Sequence, residues 1–142
     1  MSKRIQKTSL PKTEARIKPV LLGEQGTLCF SFKYLAKNHD KFSYSNKNSD
    51  YFSTLLAKLS DYSSLKRLEL LSNRSSSIRC HPIEWIHTSE EGFGFKDEEQ
   101  LVDTPYQLQL TSNRHGRIHG FFIEAVFYVV WLDPDHLLYP TR

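Results

Sequence analysis

The chain has 142 residues, a formal net charge of +3 and 39% hydrophobic residues, which is the size of one domain with its own core. No apolar run approaches the roughly eighteen residues that a membrane-spanning helix needs. The basic segment at residues 1–23 lacks the apolar core of a signal peptide. Cys29 and Cys80 are too few and too far apart for a CxxC metal site and suit a reducing compartment. We therefore expect a cytoplasmic protein.

Positive charge is concentrated at the N-terminus. Residues 1–18 carry six Lys or Arg against one Glu, a net +5, whereas the acidic segment, defined as residues 84–103, carries seven carboxylates against one Lys, a net −6. We predict a basic, flexible arm over 1–22 and a single domain over 23–142. The arm could hold a polyanion through counterion release; the alternative is a disordered terminus that only adds solubility. The arm residues expected to contact nucleic acid are Lys3, Arg4 and Lys7.

The first half of the domain predicts one strand and one or two helices. Residues 27–36 alternate in polarity, as a half-buried strand does. The residues predicted to share its inner face are Leu28, Phe30, Phe32 and Tyr34. Asn48 or Ser49 can cap a helix whose apolar residues recur at helical spacing as far as Tyr62. Residues 65–71 predict a second short helix, with a strand as the alternative.

The second half predicts mainly strands. Residues 78–88 are strand-like, and Pro82 restricts them to a sheet edge or a broken strand. In an extended chain one face would carry His81, Ile83, Trp85 and His87. The acidic residues that follow predict a loop with one helical turn. Residues 106–110 alternate cleanly, and two long apolar runs follow at 117–123 and 126–132. Early helices and late sequential strands indicate an α+β fold with an antiparallel sheet.

The two apolar runs are predicted to form a hairpin around a two-residue turn at 124–125. In this register Ile123 faces Val126 and His119 faces Val130. Two buried aromatic residues are expected in the second strand, Phe127 and Trp131. The polar ends of both strands then meet at the open end of the hairpin.

This open end suits chemistry at an RNA phosphodiester. Histidine transfers protons near neutral pH, and arginine binds phosphate and stabilises its developing charge. We expect His119 or His136 to act as base or acid and Arg117 to clamp the phosphate, with Tyr139 completing the set. The alternative is a surface ion-pair cluster of the arginines with Asp133 and Asp135, which would contribute little.

Other residues suggest two further interpretations. Trp85 could stack a nucleobase, although a Trp in a strand more often belongs to the core, and Arg114 is also expected to contact nucleic acid. A metal is the other interpretation, since suitable donor types occur near the hairpin end. These donors are His115, His119, Asp133 and His136. Their spacing matches no metal-binding motif, so neither a metal nor another cofactor is expected.

The stretch RIHGFFIEAVFYVVWLDPDHLLYP, residues 117–140, resembles the closing hairpin of the RelE/ParE/HigB toxin superfamily. The order of strand, helical segment and antiparallel strands over residues 27–140 is similar as well. The resemblance implies a small bacterial ribonuclease that cuts mRNA on the ribosome without a metal and is neutralised by an antitoxin. It also implies site roles for Arg117, His136 and Tyr139.

The chain departs from this superfamily in its basic arm and in its acidic segment. The acidic segment is either a lid over a basic face or a sign that the similarity is one of topology. Two other functions therefore stay open. One is a non-enzymatic nucleic-acid or protein binding module, in which the arm supplies affinity. The other is a metal-dependent nuclease that uses the His/Asp end of the hairpin.

Overall fold

A computed structural model describes residues 26–73, 79–111 and 116–140. The strands in this part are Cys29–Ser31 (β1), Cys80–Pro82 (β2), Pro105–Gln109 (β3), Arg117–Ile123 (β4) and Val126–Asp133 (β5). The helices are Ser49–Tyr62 (α1), Arg67–Ser72 (α2) and Glu98–Leu101 (α3), and a 3₁₀ turn spans Trp85–His87. The predicted α+β fold is confirmed. None of the helices in these ranges has the length and apolar character that spanning a bilayer requires.

The strands form one sheet in the order β1-β5-β4-β3-β2. The four strands β2 to β5 pair antiparallel, as expected, whereas β1 pairs parallel with β5. Cys29 and Cys80 therefore lie on opposite edge strands, and these two strands are about 19 Å apart at roughly 4.8 Å per strand. A disulfide needs Cα atoms within about 7 Å, so these two free cysteines cannot pair within one chain.

Helix α1 begins where the sequence predicts. The Asn48 side chain accepts a hydrogen bond from the Tyr51 backbone N–H at 2.9 Å, which satisfies one of the free donors at the helix start. The residues that α1 buries are Tyr51, Leu55, Leu59 and Tyr62. Leu56 points outward and is 64% exposed. Residues 67–72 form a helix, α2, so the strand alternative for this segment is wrong.

The sheet separates two apolar cores. The helix-side core lies between the sheet and α1, with α2 contributing Leu70. The loop-side core lies on the other face, where loops replace a helix layer, and its buried residues are Phe42, Ile83, Phe93, Phe121, Val130, Trp131 and Leu138. Aromatic rings dominate this second core, and Phe42 stacks on Trp131 with ring centroids 4.5 Å apart. Large rings can fill the space that irregular backbone leaves.

Two predicted strands are shorter than the sequence pattern suggests. β1 ends at Ser31 and the chain then turns, so Tyr34 packs in the loop-side core while Leu28 lies in the helix-side core. The predicted shared face over residues 27–36 is therefore wrong. β2 likewise ends at Pro82 and gives way to the 3₁₀ turn. The predicted face from His81 to His87 does not form.

The closing hairpin has the predicted turn but not the full predicted register. Ile123 pairs with Val126, and the ladder keeps this register as far as Gly120 opposite Val129. A bulge then follows, and His119 pairs with Trp131 instead of Val130. The extra residue places both Val130 and Trp131 in the loop-side core. It also reverses the alternation beyond that point, so that Asp133 shares a face with His119.

Candidate functional site

Polar side chains occupy two neighbouring rows across the loop-side face of the sheet. The first row contains His81, Gln107, His119 and Trp131, aligned from β2 to β5. The second row contains Gln109, Arg117 and Asp133. Residues two apart on a strand point to the same face, so both rows continue the loop-side core as a polar patch.

A cleft of about 570 Å³ opens at the edge of this patch. Its lining residues are His81, Pro82, Glu84, Gln107, Arg117, His136 and Tyr139. The volume is in the range of sites for small ligands, and a few convergent polar groups are typical of such sites. Three strands and the segment after β5 all contribute, so the cleft exists only in the folded chain.

Asp133 lies beneath the cleft and hydrogen-bonds the segments that form its wall. Its carboxylate is 1% exposed and accepts hydrogen bonds from Leu137 N at 2.7 Å, from Leu138 N at 3.0 Å and from His119 Nε2 at 3.1 Å. Burial alone would raise the pKa of Asp133, but the hydrogen bonds from His119 and the backbone hold it below its ordinary value. Asp133 is therefore an anion that fastens the turn after β5.

His119 is the buried partner of this carboxylate. It is fully buried, and burial lowers its pKa although the hydrogen bond to Asp133 opposes the shift. We infer a neutral ring with its hydrogen on Nε2. Its Nδ1 has no hydrogen-bond partner in the part of the chain that the structure describes. Because His119 does not line the cleft, the expected acid or base role in contact with RNA does not fit its position.

The turn after β5 brings His136 and Tyr139 back over the sheet. His136 adopts a left-handed backbone conformation with φ of 58°. Across the turn lies Gly116, where an added Cβ would overlap the Asp133 carbonyl oxygen, so only glycine fits. The Tyr139 hydroxyl oxygen accepts a hydrogen bond from the Glu84 backbone N–H at 3.1 Å. The backbone of the turn after β5 is therefore fixed, and it positions the side chains of His136 and Tyr139 in the cleft.

Arg117 supplies a positive charge to the cleft. Its Nη1 donates to the Thr111 carbonyl oxygen at 3.3 Å. Among the described residues it forms no ion pair with a carboxylate, so the predicted ion pair with Asp133 or Asp135 is absent there. Burial lowers the pKa of Arg117, the neighbouring Arg79 charge adds to the lowering, and Asp133 opposes it. The charges of Arg79 and Arg117 therefore repel each other at the cleft.

His81 lines the cleft from the edge strand β2. Its Nδ1 lies 3.0 Å from the Pro82 carbonyl oxygen, and its Nε2 lies 3.1 Å from Gln107 Nε2. Its ring also lies edge-on to Tyr139, with centroids 6.3 Å apart. The adjacent Cys80 is not a nucleophile candidate, because burial raises the pKa of its thiol to about 12.

The structure brings together three of the four residues expected to be catalytic, namely Arg117, His136 and Tyr139. Trp85 lies elsewhere: its ring packs against Phe93 and Trp131 at centroid distances of 5.2 and 5.9 Å, and it does not line the cleft. The remaining residues expected to contact nucleic acid lie outside the described ranges, as does the 1–22 arm. These residues are Lys3, Arg4, Lys7 and Arg114.

The metal alternative receives no support from the donor geometry. Within residues 26–73, 79–111 and 116–140, no three His, Cys, Asp or Glu side chains group closely enough to hold a metal ion. His119 and Asp133 bond each other beneath the cleft, and His136 stands in the cleft itself. The fourth expected donor, His115, lies outside these ranges.

Besides Pro82, sequence reasoning missed three polar cleft residues, namely His81, Glu84 and Gln107. A signal for Gln107 was present, because the alternation of YQLQL assigns both glutamines to the face opposite Leu108. The pairing of β3 with β4 was needed to place that face beside His119. His81 and Glu84 gave no such signal, since their position depends on where β2 ends.

No family model matches the chain, and no curated protein or solved structure matches it either.

Proposed function

We propose that the cleft binds an RNA phosphodiester and cleaves it without a metal, as an endoribonuclease. The observation that carries the proposal is the half-buried Arg117 guanidinium, which lacks an ion pair among the described residues and has Arg79 as a like-charged neighbour. A phosphate bound there would offset both charges and could accept two hydrogen bonds from one guanidinium. The groups that line the cleft with it include the His136 imidazole and the Tyr139 phenol, which can transfer protons.

The proposed reaction is transfer of the phosphate to the neighbouring 2′-hydroxyl. His136 accepts the hydroxyl proton, the 2′-oxygen attacks phosphorus, and the bond to the 5′-oxygen breaks. Tyr139 donates its proton to that leaving oxygen, and Arg117 stabilises the charge on the non-bridging oxygens. The Glu84 N–H donates to the Tyr139 oxygen and so holds the phenol at the cleft. The products are a 2′,3′-cyclic phosphate and a 5′-hydroxyl.

The biological setting follows from the resemblance to the RelE/ParE/HigB superfamily. In this proposal the substrate is mRNA on the ribosome in the bacterial cytoplasm, and an antitoxin-like protein neutralises the enzyme by covering the cleft. Two free cysteines at opposite sheet edges suit that reducing compartment.

The test is cleavage of labelled single-stranded RNA, free and in a translating extract, with and without EDTA. We expect Arg117→Ala and His136→Gln to reduce the cleavage rate by roughly 100-fold or more. The control is Lys96→Ala, which removes one positive charge from an exposed site and should leave the rate unchanged.

Three results would contradict the proposal in different ways. Cleavage lost with EDTA would contradict the metal-independent mechanism. Full activity in a folded Arg117→Ala variant would move the reaction away from this cleft. If the wild-type protein binds RNA without cutting it, the protein is a binding module, and deletion of residues 1–20 would then show whether the arm supplies the affinity.

A further inference from the structure

We propose that His81 and Gln107 form a proton-coupled oxyanion clamp, in which the Gln107 amide reverses when His81 gains a proton and then donates to an oxyanion in the cleft. The proposal rests on the proposed function only in taking that oxyanion to be an RNA phosphate. It concerns two residues to which the reaction described above assigns no role.

The hydrogen bonds of His81 determine its tautomer. A carbonyl oxygen only accepts hydrogen bonds, so His81 Nδ1, which lies 3.0 Å from the Pro82 oxygen, carries a hydrogen. In a neutral ring Nε2 then has a lone pair and must accept. It does so from the Gln107 amide nitrogen at 3.1 Å. Neutral His81 is therefore satisfied at both nitrogens, and its lone pair is not available to take a proton from a substrate.

Protonation of His81 makes this arrangement unfavourable. Both ring nitrogens of an imidazolium donate, so Nε2–H would face the Gln107 NH₂ group, donor against donor. Gln107 is 8% exposed, and its backbone is held opposite His81 in the β2–β3 pairing, so the side chain has little room to move away. Rotation of the amide by about 180° restores the hydrogen bond, because Oε1 then accepts from Nε2–H.

The reversed amide changes what the cleft offers to a ligand. Gln107 lines the cleft, and after rotation its NH₂ group is no longer used by His81. An oxyanion then meets a new N–H donor and the positive charge of His81 at the same place. The oxyanion gains a hydrogen bond from the Gln107 NH₂ group and Coulomb attraction to the protonated ring of His81, so protonation should strengthen oxyanion binding.

Other charged or titratable groups surround His81 on every side. They are Arg79 just before β2, Cys80 on β2, Glu84 at the rim, Arg117 and His119 on β4, and His136 and Tyr139 from the segment after β5. A bound oxyanion would attract the positive charge of a protonated His81 as well as that of Arg117. Proton uptake and oxyanion binding therefore favour each other, as linkage requires.

The test uses sulfate as the probe, because sulfate keeps its double negative charge over the pH range in which histidine titrates. We expect the wild-type protein to bind sulfate roughly tenfold more tightly at about pH 5.5 than at about pH 8. Gln107→Met keeps the side-chain length but has no N–H donor, and should lose most of this pH-dependent gain. Gln100→Met, on the exposed face of α3, is the matched control and should behave as wild type.

A second measurement needs neither sulfate nor a variant. In NMR spectra of the wild-type protein, the Gln107 side-chain amide signals should change with pH together with the His81 ring signals. This measurement also decides the case if Gln107→Met does not fold. Gln107 signals that ignore the His81 titration would overturn the clamp, as would unchanged pH dependence of sulfate binding in folded Gln107→Met. Absence of RNA cleavage would overturn only the proposed function, because neither measurement depends on cleavage.

Discussion

Replacement of His119 tests whether a neutral buried histidine supports Asp133. In the wild-type protein, His119 Nε2 bonds the Asp133 carboxylate at 3.1 Å. In His119→Gln the glutamine amide can place a donor near the position of Nε2, whereas His119→Ala has no donor there. His119→Ala removes one donor from a buried anion and leaves a cavity in the loop-side core. We expect a loss of about 3–4 kcal/mol in the free energy of unfolding. For His119→Gln we expect a loss of about 1 kcal/mol.

The same substitution should change how stability depends on pH. Burial lowers the pKa of His119 from its ordinary 6.5, so below about pH 6.5 the unfolded chain binds a proton that the folded chain does not. The contribution of neutral His119 to the free energy of unfolding is therefore fully present above this pH and is lost progressively as the pH drops. If folded His119 stays neutral, the loss between about pH 7.5 and 5.5 is about 1.4 kcal/mol. His119→Gln has no group to protonate and should lack this loss.

The assay is urea unfolding followed by tryptophan fluorescence at both pH values, since Trp131 lies edge-on to His119 with centroids 6.1 Å apart. The control is His87→Gln, whose side chain is 66% exposed and should keep the wild-type pH dependence. Equal loss of stability on acidification in wild type and His119→Gln would refute the neutral, buried state. Asp133, whose pKa is also lowered, contributes its own loss only as the pH falls below its ordinary value of 3.8.

Three further predictions concern packing and backbone. Gly116→Ala should destabilise the fold by about 3 kcal/mol or more in thermal melting, because the φ of Gly116 is 63° and a Cβ would collide with backbone across the turn. The control is Gly94→Ala, which should cost only about 1 kcal/mol, because Gly94 has a φ of 86° but open space around it. Phe127→Ala should lower the free energy of unfolding by roughly 3–5 kcal/mol, because the Phe127 side chain is 0% exposed. Leu68→Ala, at a side chain that is 75% exposed, should stay within about 0.5 kcal/mol of wild type. Equal melting temperatures for these two variants would contradict the core assignment. Asn48→Ala should cost about 1 kcal/mol through the lost helix cap, and helical circular dichroism that melts as in wild type would exclude that role.

Local patterns in the sequence were sufficient where neighbouring residues decide the structure. The start of α1 depends on Asn48 and on the apolar spacing that follows, and both lie within one segment. The hairpin turn at 124–125 follows from two apolar runs on either side of it. The gathering of polar residues at the open end of that hairpin also followed, because any antiparallel register brings these ends together. Arg117, His136 and Tyr139 were therefore identifiable as cleft residues from the sequence alone.

The tertiary structure decided everything that depends on contact between distant segments. The bulge after Val129 becomes visible only in the pairing of β5 with β4, because alternation within a single strand does not reveal it. That one extra residue places Asp133 beside His119 and makes His119 a buried support instead of a cleft residue. His81 and Gln107 join the site only because β2 pairs with β3 and ends at Pro82. The alternation of polar and apolar residues along a strand indicates which face of the sheet each residue occupies. The pairing of strands that are far apart in sequence determines which residues lie next to each other on that face.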